Sequence, residues 1–243
     1  MSARDVLVVG MGVTGRAVVG RLSAEGRHAV VVDDAPTPEA EAAARDAGVR
    51  LFVTPSGEAL AELVASVDSV VVSPGVAPSH AVVQVAERLG VPVTGEVELA
   101  SGVLAERGAA APTLVAITGT NGKTTVTTLV AACLAASGRQ AVAAGNIGRP
   151  LVEVVADPEW QVVVAEVSSF QLQLTSSLRP KVSCWLNFAP DHLDWHPTME
   201  HYAAAKARIW ARQGPGDSAV VNADDAAVMA AAAHIPAGAR VLT

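Results

Sequence analysis

Thr118-Gly119-Thr120-Asn121-Gly122-Lys123-Thr124-Thr125 packs two glycines, an amine and four hydroxyls into one short run. Such a run can hold a polyphosphate. Backbone N–H groups wrap the phosphate oxygens, Lys123 supplies a mobile charge for the β and γ oxygens, and Thr124 offers a hydroxyl to Mg²⁺. The usual phosphate loop has four residues between its first glycine and Gly-Lys. Here Thr120 and Asn121 alone separate Gly119 from Gly122, so the loop is a variant. The expected ligand is ATP, held by Gly119, Thr120, Asn121, Gly122, Lys123, Thr124 and Thr125. The plain alternative is a turn closed by a chance Gly-Lys-Thr.

A second glycine loop, Gly10-Met11-Gly12-Val13-Thr14-Gly15, stands near the start. It follows an apolar run and opens a helical stretch. Glycine there permits a tight turn and close approach of a diphosphate to a helix N-terminus. Asp33-Asp34 follows 18 residues after Gly15, where a carboxylate can accept from a ribose hydroxyl. Ser73-Pro74-Gly75 ends another apolar run at a strand carboxyl end. A dinucleotide is the default ligand for this pattern, a UDP-sugar diphosphate uses the same physics, and a packing turn is the bland reading.

Glu166 ends the apolar run Gln161–Ala165, where its carboxylate can hold Mg²⁺, a hard cation that prefers oxygen. His192 follows the run Val182–Leu186 and is flanked by Asp191 and Asp194. A lone loop histidine is more often structural than ligating. His196, His201 and His234 lack acidic support of this kind. Lys206 lies among alanines, and its bland reading is a surface lysine.

Elements must bring these residues together. Short β-branched runs at Val6–Val9, Ala29–Val32, Ser69–Val72, Leu114–Ile117, Gln161–Ala165, Val182–Leu186 and Ala219–Val221 read as strands. Alanine-rich stretches at Thr14–Ala24, Ser79–Leu89, Thr124–Ala136 and His201–Ala211 read as helices. Alternation of this kind predicts an α/β protein of doubly wound parallel sheets. Two phosphate-type loops imply two units, 1–94 and 95–243, with a strandless seam over Ser101–Pro112. Arg240-Val241-Leu242 reads as one more strand.

Composition narrows the classes. A net charge of −7 argues against nucleic acid as the main partner, which needs a basic face. Cys133 and Cys184 have no metal-type spacing and are expected to be reduced core residues of a cytoplasmic protein. The N-terminus lacks the pattern of a signal peptide, and no apolar run is long enough to span a membrane. The expected state is a monomer.

The phosphate-loop octet resembles the ATP loop of the Mur ligase family. So do Gly145-Asn146-Ile147-Gly148, Glu166-Val167-Ser168-Ser169-Phe170-Gln171-Leu172, Asn187-Phe188-Ala189-Pro190-Asp191-His192-Leu193-Asp194, Ala204-Ala205-Lys206-Ala207-Arg208-Ile209 and Val221-Asn222-Ala223-Asp224-Asp225. The glutamate segment resembles most the branch that adds D-glutamate to UDP-N-acetylmuramoyl-L-alanine. The resemblance spans essentially the whole chain.

That resemblance implies a Rossmann-like domain for the UDP substrate, followed by a P-loop-type ATPase domain. It implies ATP and Mg²⁺ as cofactors, and Lys123, Glu166, His192 and Lys206 as catalytic residues. Thr124, Glu166, His192 and a carbamylated Lys206 would hold the metal. Gly12, Val13, Thr14, Gly15, Asp33, Asp34, Ser73, Gly75, Asn146 and Ser168 would contact the UDP substrate. The implied reaction, in peptidoglycan synthesis, phosphorylates the alanyl carboxylate and lets the D-glutamate amine attack the acyl phosphate. A third domain of roughly 150 residues, which binds the amino acid in that family, is absent, so the chain is expected to be a fragment. Ala35 departs from an arginine that some relatives carry. Two rivals remain open: a noncatalytic nucleotide-binding module, and an NAD(P)-dependent oxidoreductase that leaves Lys123, Glu166 and His192 unexplained.

Overall fold

The computed structural model describes residues 5–193 and 195–243. Asp194, expected beside His192, lies outside them. The chain forms two compact units, Met1–Leu99 and Ala100–Thr243.

The first unit is built on β1 (Asp5–Val9), α1 (Val13–Ala24), β2 (Ala29–Asp33), α2 (Pro38–Asp46), β3 (Arg50–Val53), α3 (Gly57–Ala65), β4 (Val67–Val72), α4 (Ala81–Leu89) and β5 (Val93–Gly95). The strands are all parallel in the order β3-β2-β1-β4-β5. The valine runs of β1, β2 and β4 are buried between helices, which is why they read as strands. Val8, Val31 and Val71 pack with Val18, Val19 and Leu22 of α1. Fully burying one such side chain contributes about 1.5–3 kcal/mol. The strand order reverses between β1 and β4, so the glycine loop after β1 and the Ser73 turn after β4 share one sheet edge.

Helix α5 (Glu96–Arg107) occupies part of the stretch read as a strandless seam. The second unit continues with β6 (Thr113–Thr118), α6 (Lys123–Ala136), β7 (Ala141–Gly145), α7 (Leu151–Val154), β8 (Val162–Glu166), α8 (Ser169–Leu172), β9 (Val182–Trp185), α9 (Met199–Ala207), β10 (Ser218–Val221), α10 (Ala226–Ala232) and β11 (Arg240–Leu242). This sheet is also parallel, in the order β11-β10-β9-β6-β8-β7. β6 therefore lies between β8 and β9. The segments leaving the carboxyl ends of these three strands converge, and they are the phosphate loop, Glu166 and Asn187.

Ile117, Val162 and Val164 pack under α6 through Val126, Val130 and Leu134. Cys133 corrects the sequence reading: it sits on the exposed face of α6. Cys184 is half-buried, and burial raises its thiol pKa. Among the described residues no helix is long and apolar enough to cross a membrane.

Candidate active site

The phosphate loop leaves β6 at Thr118 and enters α6 at Lys123. Thr124 Oγ1 donates to Glu166 Oε2 at 2.7 Å. Asn146 Nδ2 donates to Glu166 Oε1 at 2.8 Å. Glu166 is the last residue of β8 and is 2% exposed, so both its oxygens are held by donors at the loop's mouth. Gly145 permits this approach. A Cβ there would stand 2.4 Å from Glu166 O, and its φ of +97° disfavours other residues.

Lys123 Nζ donates to Thr120 O at 2.9 Å. Lys206 reaches the same loop from α9, donating to Gly119 O at 2.9 Å, with Thr118 Oγ1 at 3.5 Å. It is 1% exposed, and its ammonium lies 4.8 Å from the Tyr202 ring centroid. Burial lowers its pKa to about 7, the Lys123 charge adds to that, and Asp191 opposes it. The surface-lysine reading is thus corrected. Helical spacing puts Lys206 on the buried face of α9 with Tyr202 and Ala205.

His192 adopts a left-handed backbone with φ 54°. Its Nε2 lies 3.4 Å from Asp191 Oδ2, and its ring meets Phe170 edge-on at 4.7 Å. The Tyr202 ring, which the Lys206 amine also approaches, lies 6.1 Å from that of His192. Among the described residues no three His, Cys, Asp or Glu side chains cluster closely enough to hold a metal. The donors at the mouth, a carboxylate and a hydroxyl, are still the hard oxygens that Mg²⁺ selects. Mg²⁺ completes its shell with water and substrate phosphate in such sites. The residues present therefore fit that ion.

Ser168 caps α8: its hydroxyl accepts from Gln171 N, while its own N–H donates to Gln171 Oε1. His196 is fully buried, with Nε2 2.9 Å from Ser169 Oγ and Nδ1 3.1 Å from His201 Nδ1.

In the first unit, Asp33 Oδ2 accepts from Met11 N at 2.9 Å, and Oδ1 accepts from Ala35 N at 3.0 Å. Asp33 thus fixes the glycine loop. Asp34 pairs with His80 Nε2 at 3.1 Å. The nearby Thr54 hydroxyl, with help from His80, holds the Asp34 carboxyl below its ordinary range. Gly15 lies against the loop, where a Cβ would be 1.9 Å from Gly10 O, whereas a Cβ on Gly12 would meet nothing within 4 Å. A cavity of about 350 Å³ opens here, lined by Gly10, Asp33, Asp34, Gly75 and His80 among others. Ser73 stands beside Gly10.

Residues 117–243 match the model of the Mur ligase middle domain, and residues 4–95 match that of the Mur ligase MurD-like N-terminal domain. The chain belongs to the Mur ligase family. Curated relatives of this family member include the UDP-N-acetylmuramoylalanine–D-glutamate ligases of Frankia casuarinae and Pelotomaculum thermopropionicum. They are 45% and 46% identical, each over 98% of this chain and over 49% and 50% of their own length. The chain spans about half the length of the curated relatives it matches. Among solved structures, a UDP-N-acetylmuramate:L-alanyl-gamma-D-glutamyl-meso-diaminopimelate ligase from Neisseria meningitides shares the fold. It is 16% identical with a TM-score of 0.64, covering 99% of this chain and 77% of that one.

For this Mur ligase chain, the structure gathers Lys123, Thr124, Asn146, Glu166 and Lys206 around one loop. His192 meets Phe170 and Tyr202 instead. Sequence reasoning missed Asn187 and Tyr202. Asn187 Oδ1 accepts from Thr120 N at 3.1 Å and Asn121 N at 2.9 Å. Its place just after β9, a strand adjoining β6, was the available signal.

Proposed function

We propose that this chain supplies the UDP-substrate-binding and ATP-binding parts of an ATP-dependent amide ligase. The ligase joins D-glutamate to UDP-N-acetylmuramoyl-L-alanine in cytoplasmic peptidoglycan synthesis. The relatives named as UDP-N-acetylmuramoylalanine–D-glutamate ligases support these substrates. The observation that carries the chemistry is the Thr124–Glu166 contact at the mouth of a loop that also receives Lys123 and Lys206.

Lys123 releases Thr120 O and places its charge on the β and γ phosphate oxygens. The N–H groups at the start of α6 add donors and the positive end of the helix dipole. Thr124 and Glu166 hold Mg²⁺. That ion, when bound, offsets the charge of the triphosphate and of the carboxylate that approaches it. Preorganised positive charge of this kind is what an anion-to-anion phosphoryl transfer needs.

Lys206, whose pKa burial lowers to about 7, offers its neutral amine to carbon dioxide. A bond forms between Nζ and the carbon, a proton leaves to solvent, and a carbamate remains. The modified side chain would bring carboxylate oxygens to the loop at Gly119, and His192 would be the further ligand that the family resemblance implies.

The UDP diphosphate lies against Gly12, Val13, Thr14 and Gly15, with Asp33, Asp34, Ser73 and Gly75 at its edge. Asn146 and Ser168 are assigned to the muramoyl end. The test is phosphate release that depends jointly on UDP-N-acetylmuramoyl-L-alanine, D-glutamate and Mg²⁺. Such release eliminates a noncatalytic binding module, and failure to bind Mg·ATP or the UDP substrate overturns the reading.

A further inference from the structure

We propose that Asn187 is a positioning residue that shapes the phosphate loop before nucleotide arrives, and that it removes Thr120 N–H and Asn121 N–H from the set of phosphate donors. The proposal rests on the reading that this loop binds Mg·ATP.

A loop of this kind has to solve an electrostatic problem. Each peptide that offers an N–H to phosphate also carries a carbonyl oxygen that repels it. Here the three successive carbonyls of Gly119, Thr120 and Asn121 each accept from a side-chain nitrogen. Lys206 Nζ binds Gly119 O at 2.9 Å, Lys123 Nζ binds Thr120 O at 2.9 Å, and Asn187 Nδ2 binds Asn121 O at 3.1 Å. Two of these donors are lysine amines. The third is a neutral amide whose other end is equally engaged.

That other end decides the matter. Asn187 Oδ1 accepts from Thr120 N at 3.1 Å and Asn121 N at 2.9 Å, and Asn187 O also lies 3.1 Å from Thr120 N. One side chain therefore clamps Asn121 at both its N–H and its C=O. Asn187 is itself anchored. Its carbonyl accepts from Trp185 Nε1 at 3.0 Å, and Trp185 is fully buried. The next residue, Phe188, donates its N–H to Asp225 Oδ2 at 2.7 Å, and Ala189 N donates to Thr120 Oγ1 at 3.1 Å. The clamp is thus tied through the end of β9 to the start of α10.

With Thr120 and Asn121 occupied, the donors left for phosphate are those at the opening of α6. The N–H groups of Lys123, Thr124 and Thr125 have no carbonyl partner one turn back within the helix, and Gly122 caps the helix without a side chain. A loop already fixed in shape loses less conformational freedom on binding, so the clamp raises affinity without touching the ligand.

The test is residue-resolved amide exchange on the 243-residue chain, followed by Mg·ATP titration. In the unaltered chain without nucleotide, the Asn121 amide exchanges slowly. Mg·ATP shifts the amides of Lys123, Thr124 and Thr125 and leaves those of Thr120 and Asn121 in place. Asn187→Ala speeds Asn121 exchange by about tenfold or more, as loss of its one acceptor requires. Thr120 is affected less, because Asn187 O remains. The same variant weakens Mg·ATP binding by about tenfold and leaves binding of UDP-N-acetylmuramoyl-L-alanine unchanged. Asn187→Asp, which keeps an acceptor oxygen, restores slow exchange at Asn121. Fast Asn121 exchange in the unaltered chain overturns the proposal, as does a large Asn121 shift on adding Mg·ATP. If the unaltered chain shows slow exchange at Asn121 yet binds no Mg·ATP, the ligase reading fails while the clamp itself stands.

Discussion

Thr124 and Glu166 meet through a 2.7 Å hydrogen bond across 42 residues of sequence. The first is on the opening turn of α6, the second ends β8, and the adjacency of β6 and β8 brings them together. Asn146 holds the other carboxylate oxygen. A carboxylate fixed in this way at a phosphate loop has its lone pairs directed before any ion arrives. That geometry supports the metal-holding role proposed for Glu166.

Lys123→Ala should abolish ATP-dependent chemistry. The loss expected for one preorganised charge at a phosphoryl-transfer site is on the order of 10²-fold or more. Lys123 Nζ donates to Thr120 O of its own loop, so the fold should survive. Isothermal titration should then find weakened Mg·ATP binding and unchanged binding of the UDP substrate. Unchanged ATP turnover would refute the assignment.

Lys206 makes stability depend on pH in a defined direction. Burial lowers its pKa from 10.5 to about 7, so between those values the unfolded chain binds the extra proton. Stability on this account rises with pH across that interval, by at most about 1.4 kcal/mol per unit, and is flat below it. Lys206→Met should remove the rise. Denaturant unfolding at several pH values in carbon-dioxide-free buffer measures it, and an identical slope in both proteins contradicts the lowered value.

Two glycines of the first loop allow a paired test. Gly15→Ala forces a methyl group against Gly10 O and should lower Tm by roughly 3–10 °C. Gly12→Val meets open space and should leave Tm nearly unchanged. It should nevertheless weaken the UDP substrate at least tenfold and spare Mg·ATP, because its side chain would fill the place of the diphosphate. Equal loss of both ligands from Gly12→Val counts against two separate sites.

Much of the fold was legible because both sheets are parallel and buried. The valine runs of β1, β2, β4 and β8 carry a signal that needs no tertiary information. β3 was missed because it is an edge strand with Arg50, Phe52 and Val53 exposed. β7, Ala141–Gly145, was missed because alanine and glycine have weak strand preference and its pairing with β8 supplies the order. In the site, the residue types of the phosphate loop were enough to place Lys123 and Thr124. Lys206 was not legible as a buried amine, since its burial arises from packing of α9 against the loop at Gly119. The role of Asp33 as the acceptor for Met11 N likewise depends on strand adjacency.

The central claim is that Lys123, Thr124 and Glu166 form one Mg·ATP site. The most direct measurement is calorimetric titration of Mg·ATP into the chain and into Glu166→Gln, which keeps the shape and removes the charge. Binding that requires Mg²⁺ in the parent and falls at least tenfold in the variant, with Tm preserved, is the result expected. Equal affinity in the two proteins, or binding indifferent to Mg²⁺, would contradict the account.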